Sequence, residues 1–408
     1  MSHPLRRLFL RWVGVVSLSL GTLGSASATP IDGYDVCVYG GNASGVMAAC
    51  AAAKEGAKVI VVEPSRWLGG MTGGGLMHID WGREEAVSGS TRPILKKDYK
   101  DAQYRAVFAD MLKSAGVALL FEHRVSAAQK IDGVIRAIDL DLAPFDAYGC
   151  PPAQPTKPVA RVIKAKVFID CSYEGDLMAR AGVDYTFGRE AKSTYGESLA
   201  GAQPPMAVYA IDPYVKAGDL RSGLLPGLQA TPVAPVGAAD KLTMGYGFRW
   251  RFVFKGESLP IEPPANYDPK QFELYRRAFQ QGVDILSGRV LRGTLDGWEK
   301  SGGRVYSGGA GNLARALFAP TNYGHNAGYP DGDYATRAQI WKEQQDFVRG
   351  MTHFLRTDPS VPAKQKEIAL SAGLEKGAFD DTMGYPHQLY VRERGYLPAA
   401  NSEAAGLV

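Results

Sequence analysis

An α/β fold is predicted for this chain by three observations. Near the amino terminus, an apolar β-rich run, Tyr34-Asp35-Val36-Cys37-Val38-Tyr39, passes straight into Gly40-Gly41-Asn42-Ala43-Ser44-Gly45. An alanine-rich stretch from Val46 to Lys54 follows, then a second β-branched run from Lys58 to Val62 that ends in Glu63. Further on, strand-like runs and amphipathic helical stretches recur over most of the chain.

The elements can be taken in order. Gly56 stops the first helix. Tyr99 to Ala115 has helical spacing, with Val107, Phe108, Met111 and Leu112 on one side. Val117 to Phe121 reads as a strand. Gly133 to Leu142 and Ala160 to Ile169 read as paired strands flanking a Pro-rich loop. Asp170 to Asp176 then leads into a helix from about Leu177, with Asp176 suited to cap it. Residues 202 to 330 are rich in Pro, Gly and aromatic residues and carry short strands. Ala335 to Leu355 reads as a long helix with Ile340, Trp341, Phe347 and Phe354 on its apolar side, and Pro362 to Leu374 as another.

Composition excludes several classes. With 408 residues, 45% hydrophobic and 22% charged, the chain is long and apolar enough to bury a large core. The formal net charge is +4, and Arg6, Arg7 and Arg11 supply three of those charges in a leader of 28 residues without an acid. The near-neutral remainder gives no electrostatic reason to expect nucleic acid as a partner. In the leader, Arg6-Arg7, the apolar stretch Trp12 to Leu23 and the small residues Ala26-Ser27-Ala28 form a signal-peptide layout over residues 1–28, too short for a stable membrane span. The paired arginines also resemble a twin-arginine export signal, although Leu5 stands where Ser or Thr is usual. A periplasmic or secreted location is expected. The cysteines Cys37, Cys50, Cys150 and Cys171 follow no metal-ligand spacing. An oxidising compartment permits a Cys150–Cys171 disulfide without requiring one.

The glycine turn carries the chemistry. A helix amino terminus presents unpaired N–H groups and a positive dipole end, which suits a pyrophosphate. Gly40 allows the tight turn, and Gly45 lets helix and strand approach closely. Glu63, at the tip of the second strand, is placed to accept hydrogen bonds from ribose hydroxyls. Asn42 departs from the dinucleotide fingerprint, which has glycine in the middle position. Asparagine tolerates left-handed backbone angles, so the turn is expected to survive, with the side chain crowding the phosphate approach.

After Glu63 comes Pro64-Ser65-Arg66-Trp67-Leu68-Gly69-Gly70-Met71-Thr72-Gly73-Gly74-Gly75. An acid followed at this distance by a glycine pair resembles the extended FAD motif of the glutathione-reductase-like flavoproteins, whose glycine-rich loop passes along the pyrophosphate toward the flavin. More widely, Phe168-Ile169-Asp170, Glu174-Gly175-Asp176-Leu177, Gly188-Arg189-Glu190, Tyr195 to Gly201, Asn266-Tyr267-Asp268-Pro269 and Gly384 to Glu393 are similar to the bacterial FAD-dependent oxidoreductase family. The resemblance covers about residues 34 to 394, and in that family the middle fingerprint position often lacks glycine.

The resemblance implies a Rossmann-like FAD-binding domain at 29–200, an inserted α+β substrate domain at 201–334 and a helical return segment at 335–394. It implies FAD as cofactor, held by Gly40, Gly41, Asn42, Ala43, Ser44, Gly45, Glu63, Gly69, Gly70 and Met71. The flavin would exchange a hydride with a small-molecule or carbohydrate-like substrate. His325 and His387 are candidate bases, and Arg392 a candidate anion stabiliser. His78, just beyond the glycine loop, is a further candidate to face the flavin. A second glycine cluster, Gly309 to Ala314, lacks a following strand that ends in an acid, so no nicotinamide site is expected there. Family members continue beyond 394, whereas residues 395–408 are small and polar. A C-terminally truncated or frameshifted product is therefore expected, with an inactive remnant or an exported carbohydrate-binding protein as the alternatives to an enzyme.

Overall fold

The computed structural model describes residues 30–76, 83–95, 99–203, 211–228, 234–243, 245–253, 257–282, 304–306 and 326–391. Its first sheet contains β1 (Pro30–Tyr39), β2 (Val59–Glu63), β3 (Ala118–Phe121), β4 (His123–Ile131), β5 (Val134–Leu142) and β6 (Lys157–Asp170). Their order is β3-β2-β1-β6-β5-β4. Strands β3, β2, β1 and β6 are parallel, and β6, β5 and β4 follow as an antiparallel meander. Residues Val36 to Tyr39 of β1 and Val59 to Val62 of β2 are almost uninterrupted apolar runs. Such runs suit strands covered on both faces, and Cys37, Val38, Tyr39, Val61 and Val62 are fully buried.

Helix α1 (Ala43–Lys54) covers one face, with Gly45, Val46 and Ala49 buried. Its small residues let the helix lie close to the strands. Helix α2 (Gly70–Gly74) follows β2, and α3 (Asp101–Ser114) packs beside α1. The buried side of α3 is Tyr104, Phe108 and Leu112, whereas Val107 and Met111 are only half-buried. The apolar stripe thus sits one position away from the face read in the sequence. Helix α4 (Asp176–Arg180) follows β6, and α5 (Lys192–Tyr195) is a single turn.

A second sheet has the order β8-β10-β7-β9, from β7 (Arg251–Val253), β8 (Ser258–Leu259), β9 (Arg304–Tyr306) and β10 (Gly373–Glu375). With helices α6 (Glu273–Gln280), α7 (Tyr334–Thr357) and α8 (Ala363–Ser371), it surrounds an aromatic core that includes Trp250, Phe272, Phe354 and Tyr385. Residues from both sides of position 334 share this core. Among the described residues, no helix is long and apolar enough to cross a membrane.

Two of the contacts that join the halves are buried polar clusters. Arg251 of β7 bonds to Asp101 of α3 and, at 3.3 Å, to Glu375 of β10. All three are buried, at 2%, 3% and 7% exposure. Charges removed from water are tolerated only when paired, so each depends on the others. The second contact is at His387. Its ring stacks on Trp67 with centroids 4.1 Å apart and planes 12° from parallel. Its Nε2 lies 2.9 Å from Asp381 Oδ1, and the Trp67 indole donates to Asp381 Oδ2 at 2.6 Å. A Cβ placed on Gly74 would come within 2.8 Å of the His387 Cβ. The segment after β10 is thereby pressed onto the glycine loop.

Both contacts have measurable consequences. Arg251→Met leaves Asp101 uncompensated and is expected to cost about 3–5 kcal/mol in denaturant unfolding. The triple replacement R251M/D101N/E375Q should recover much of that loss, and no recovery would refute the pairing argument. Burial lowers the His387 pKa, and the bond to Asp381 opposes the shift only in part. Asp381 is raised by burial but held well below the usual carboxylate range by its bonds from His387 and Trp67. A depressed histidine means that the unfolded chain binds the proton first. The contribution is therefore complete above about pH 6.5, the unfolded value, and is lost as pH falls through the lower folded value. Between pH 7 and 5 the thermal midpoint should fall less steeply in His387→Gln than in the wild type. Equal slopes would show that His387 does not carry this dependence.

Candidate functional site

The parallel strands end in register. Tyr39 lies opposite Val62 on one side and Asp170 on the other, and Glu63 lies opposite Phe121. From β1 the chain goes to β2 on one side, while β6 closes the other. Such a switch point opens a crevice beyond the carboxyl ends of the strands.

The turn that fills this place is built from backbone. Gly40 has φ +100°, and a Cβ there would lie 2.7 Å from the Ser172 nitrogen. At Gly45 a Cβ would come within 1.8 Å of the Gly40 carbonyl oxygen. Asn42 does not adopt the left-handed angles expected of it: φ is −71° and ψ −178°, ordinary extended backbone. It is the N-cap of α1. Its Oδ1 accepts from Gly45 N–H at 3.0 Å and from Ser44 Oγ at 2.7 Å, and its Nδ2 donates to the Cys171 carbonyl. The side chain is therefore folded into the turn, and capping explains the asparagine better than backbone tolerance does.

Glu63 braces the same turn. Its carboxylate accepts from Gly41 N–H at 2.6 Å, Ser65 N–H at 2.8 Å and Ser65 Oγ at 2.6 Å. Burial raises its pKa, and these three bonds pull the other way. A carboxylate offers about four acceptor sites, so roughly one is left for an outside hydroxyl. The glycine loop packs against the turn: Gly69 N–H donates to the Gly41 carbonyl at 2.8 Å, and Trp67, Leu68 and Met71 are buried. Tyr173 holds the loop by accepting the Met71 N–H at 2.8 Å. Desolvation of the hydroxyl against the loop, on a side chain that is still 36% exposed, pushes the Tyr173 pKa up to about 12, so the hydroxyl keeps its proton.

Asp176 does not cap α4 as expected. Asp170 accepts from Ser172 N–H, Ser172 Oγ and Met178 N–H at 2.8, 2.7 and 2.8 Å, and so ties down the first turn of α4. The N-cap position belongs to Gly175, with φ 63°. Asp176 instead pairs with Arg337 of α7 and, at 3.5 Å, with Arg180.

Between these parts lies a cleft of about 830 Å³, counting the space open to solvent. One wall is Gly40, Asn42, Glu63, Gly70, Ser172 and Tyr173; the other is Arg124, Phe145, Tyr329, Tyr334, Arg337 and Trp341. Tyr334 donates to the Val125 carbonyl at 2.8 Å, while the Val125 N–H donates to Tyr39 Oη at 3.1 Å. The guanidinium groups of Arg124 and Arg180 lie 4.3 and 4.5 Å from the centre of the Tyr334 ring. Two donors on this wall, Arg124 Nε and Trp341 Nε1, are buried without a hydrogen-bond partner among the described residues. Each such donor costs the fold about 1–3 kcal/mol. A ligand with phosphate, hydroxyl and ring-nitrogen acceptors suits both the open backbone turn and these donors.

The other expected residues fall elsewhere. His387 is 3% exposed, behind the glycine loop and outside the cleft, with its Nε2 on Asp381. His78, His325, Arg392, the leader, the Gly309 cluster and the tail lie outside the described residues. Cys150 and Cys171 are both free thiols: Cys150 is buried 3.5 Å from Gln345, and Cys171 sits in the turn. Sequence reasoning missed the far wall altogether. Trp341 was legible only as part of an apolar helix face, and Arg124 belongs to a strand without an apolar pattern.

No curated protein matches the chain. Among solved structures, similarity extends to a geranylgeranyl bacteriochlorophyll reductase-like protein from Thermoplasma acidophilum, at 17% identity over 37% of this chain and 42% of that one, with TM-score 0.27. It extends also to thioredoxin reductase from T. acidophilum, at 18% identity over 34% of each chain and TM-score 0.24. L-proline dehydrogenase from P. horikoshii matches at 16% identity over 38% of this chain and 58% of that one, with TM-score 0.26. The chain thus spans 34% to 58% of these proteins. Residues 35–394 match the family model described as FAD dependent oxidoreductase, nearly the whole length of the chain, and the chain belongs to that family.

Proposed function

We propose that this flavoenzyme is exported, holds FAD in the cleft beyond β1, β2 and β6, and exchanges a hydride with a small-molecule substrate, of which a carbohydrate-like compound is one class. The observation that carries the placement is the backbone-only cradle: Gly45 has no room for a Cβ beside the Gly40 carbonyl. Bound FAD supplies the two-electron chemistry. The Gly40, Gly41 and Gly45 N–H groups are bonded within the chain, so the positive end of the α1 dipole and the remaining N–H groups of the turn are what a pyrophosphate would meet. Glu63 keeps one acceptor for a ribose hydroxyl. Asn42 and Tyr173 hold the turn and the glycine loop in place. Phe145, Tyr334 and Trp341 wall the cleft against water. Proton transfer to or from the substrate is assigned to His325, and anion stabilisation to Arg392. His387 is left to its clamp.

Purified protein should show the absorbance of an oxidised flavin. Gly45→Val should bind FAD at least about tenfold more weakly, a loss of ~1.4 kcal/mol, with a folded circular-dichroism spectrum. Folded, colourless wild-type protein that takes up no added FAD would overturn the reading. Export rests on Arg6-Arg7, the apolar stretch and the Ala26-Ser27-Ala28 site. Residues 1–28 fused to a reporter should carry it out of the cytoplasm and be cleaved near Thr29. A reporter retained inside, uncleaved, would remove export from the proposal.

A further inference from the structure

Two features of the far wall of the cleft are explained by neither the glycine motif nor the fold. Arg124 is 5% exposed. Two of its nitrogens serve the chain, Nη1 donating to the Pro152 carbonyl at 2.8 Å and Nη2 to the Ala153 carbonyl at 3.4 Å, while Nε has no partner among the described residues. Trp341, also 5% exposed, has its ring edge-on to Phe145 and Phe248, and its Nε1 has none among them either. Both residues line the cleft. Buried donors are ordinarily satisfied by protein or by an ordered group, so two on one wall point to a ligand that brings acceptors.

Their position selects a part of the ligand. Strand β4 begins beside the end of β2, where Glu122 N–H donates to the Ser65 carbonyl at 2.9 Å. Phe145, which touches both Trp67 and Trp341, has its carbonyl bound by Arg66 at 3.2 Å. The wall therefore stands next to Glu63 and Ser65, the end of the cleft assigned to the ribose. Its surroundings, Phe145, Pro151, Pro152 and Tyr334, are flat or apolar, as suits a purine ring.

We infer that Arg124 and Trp341 donate hydrogen bonds to the adenosine half of FAD, and so form a binding wall opposite the glycine turn. This rests on FAD occupying the cleft. Trp341→Phe keeps a flat apolar ring and removes the N–H. It should weaken FAD binding to apoprotein about fivefold to tenfold by calorimetry, as expected for one hydrogen bond in a buried site. ADP, which carries only the adenosine half, should lose affinity by the same factor, and FMN should lose none. Indole fluorescence should be quenched by ADP in the wild type and markedly less in the variant. Arg124→Lys, which keeps the charge and lacks Nε, gives a second measurement should Trp341→Phe fold poorly; it too should weaken ADP and spare FMN.

Unchanged ADP and FAD affinity in both folded variants, with Gly45→Val still defective, would overturn the inference and leave the cleft as the cofactor site. Equal loss for FMN and ADP would overturn the assignment to the adenosine half. Wild-type binding in Gly45→Val would instead remove the cleft reading, and the inference with it.

Discussion

The structure depends on the contact between the end of β1 and the first turn of α1. No side chain fits between the Gly40 carbonyl and Gly45, so the two backbones meet directly. That approach fixes the direction of α1 across the sheet and leaves the helix amino terminus facing the crevice. Neighbouring parts are hung from it. Ser172, just beyond β6, stands where a Cβ on Gly40 would have to go. The glycine loop pairs with Asn42 and Gly41. Glu63 reaches back to hold Gly41. A bulkier residue at position 45 would therefore disturb several loops at once, because each uses this turn as its reference.

The second half of the molecule is not an independent cap. Its core is aromatic and buried, but its attachment to the first sheet is polar and specific. Arg251 pairs with Asp101 Oδ2 across the boundary, and Asp381 collects bonds from both His387 and Trp67. Buried charges of this kind contribute little net stability, yet they penalise every arrangement in which a partner is missing. The two halves are thus held in one relative placement, and the cleft walls with them.

How much of this was legible follows from the range of each interaction. The first strand, helix and second strand were readable because their signals are local: apolar runs, small residues and glycine punctuation. Strand β4 was not, since His123, Arg124, Ser126, Gln129 and Lys130 give it no alternating pattern; its pairing with β5 decides it. Asn42 was read through its backbone preference, whereas its side chain determined the outcome. His387 resembled a base because histidines titrate near neutrality, and nothing in the sequence showed that Trp67, 320 positions away, would cover it. The far wall of the cleft joins Val125 to Tyr334, separated by 209 positions, and such pairings leave no periodic trace.

The two tyrosines on Val125 have a consequence for solubility. Strand β4 is at the edge of its sheet, where unpaired backbone groups can recruit a strand from another molecule. At Val125 both groups are occupied, the N–H by Tyr39 and the carbonyl by Tyr334. At Val125 the strand's outer border is therefore occupied by side chains of the same chain, which guards it there against self-templated stacking.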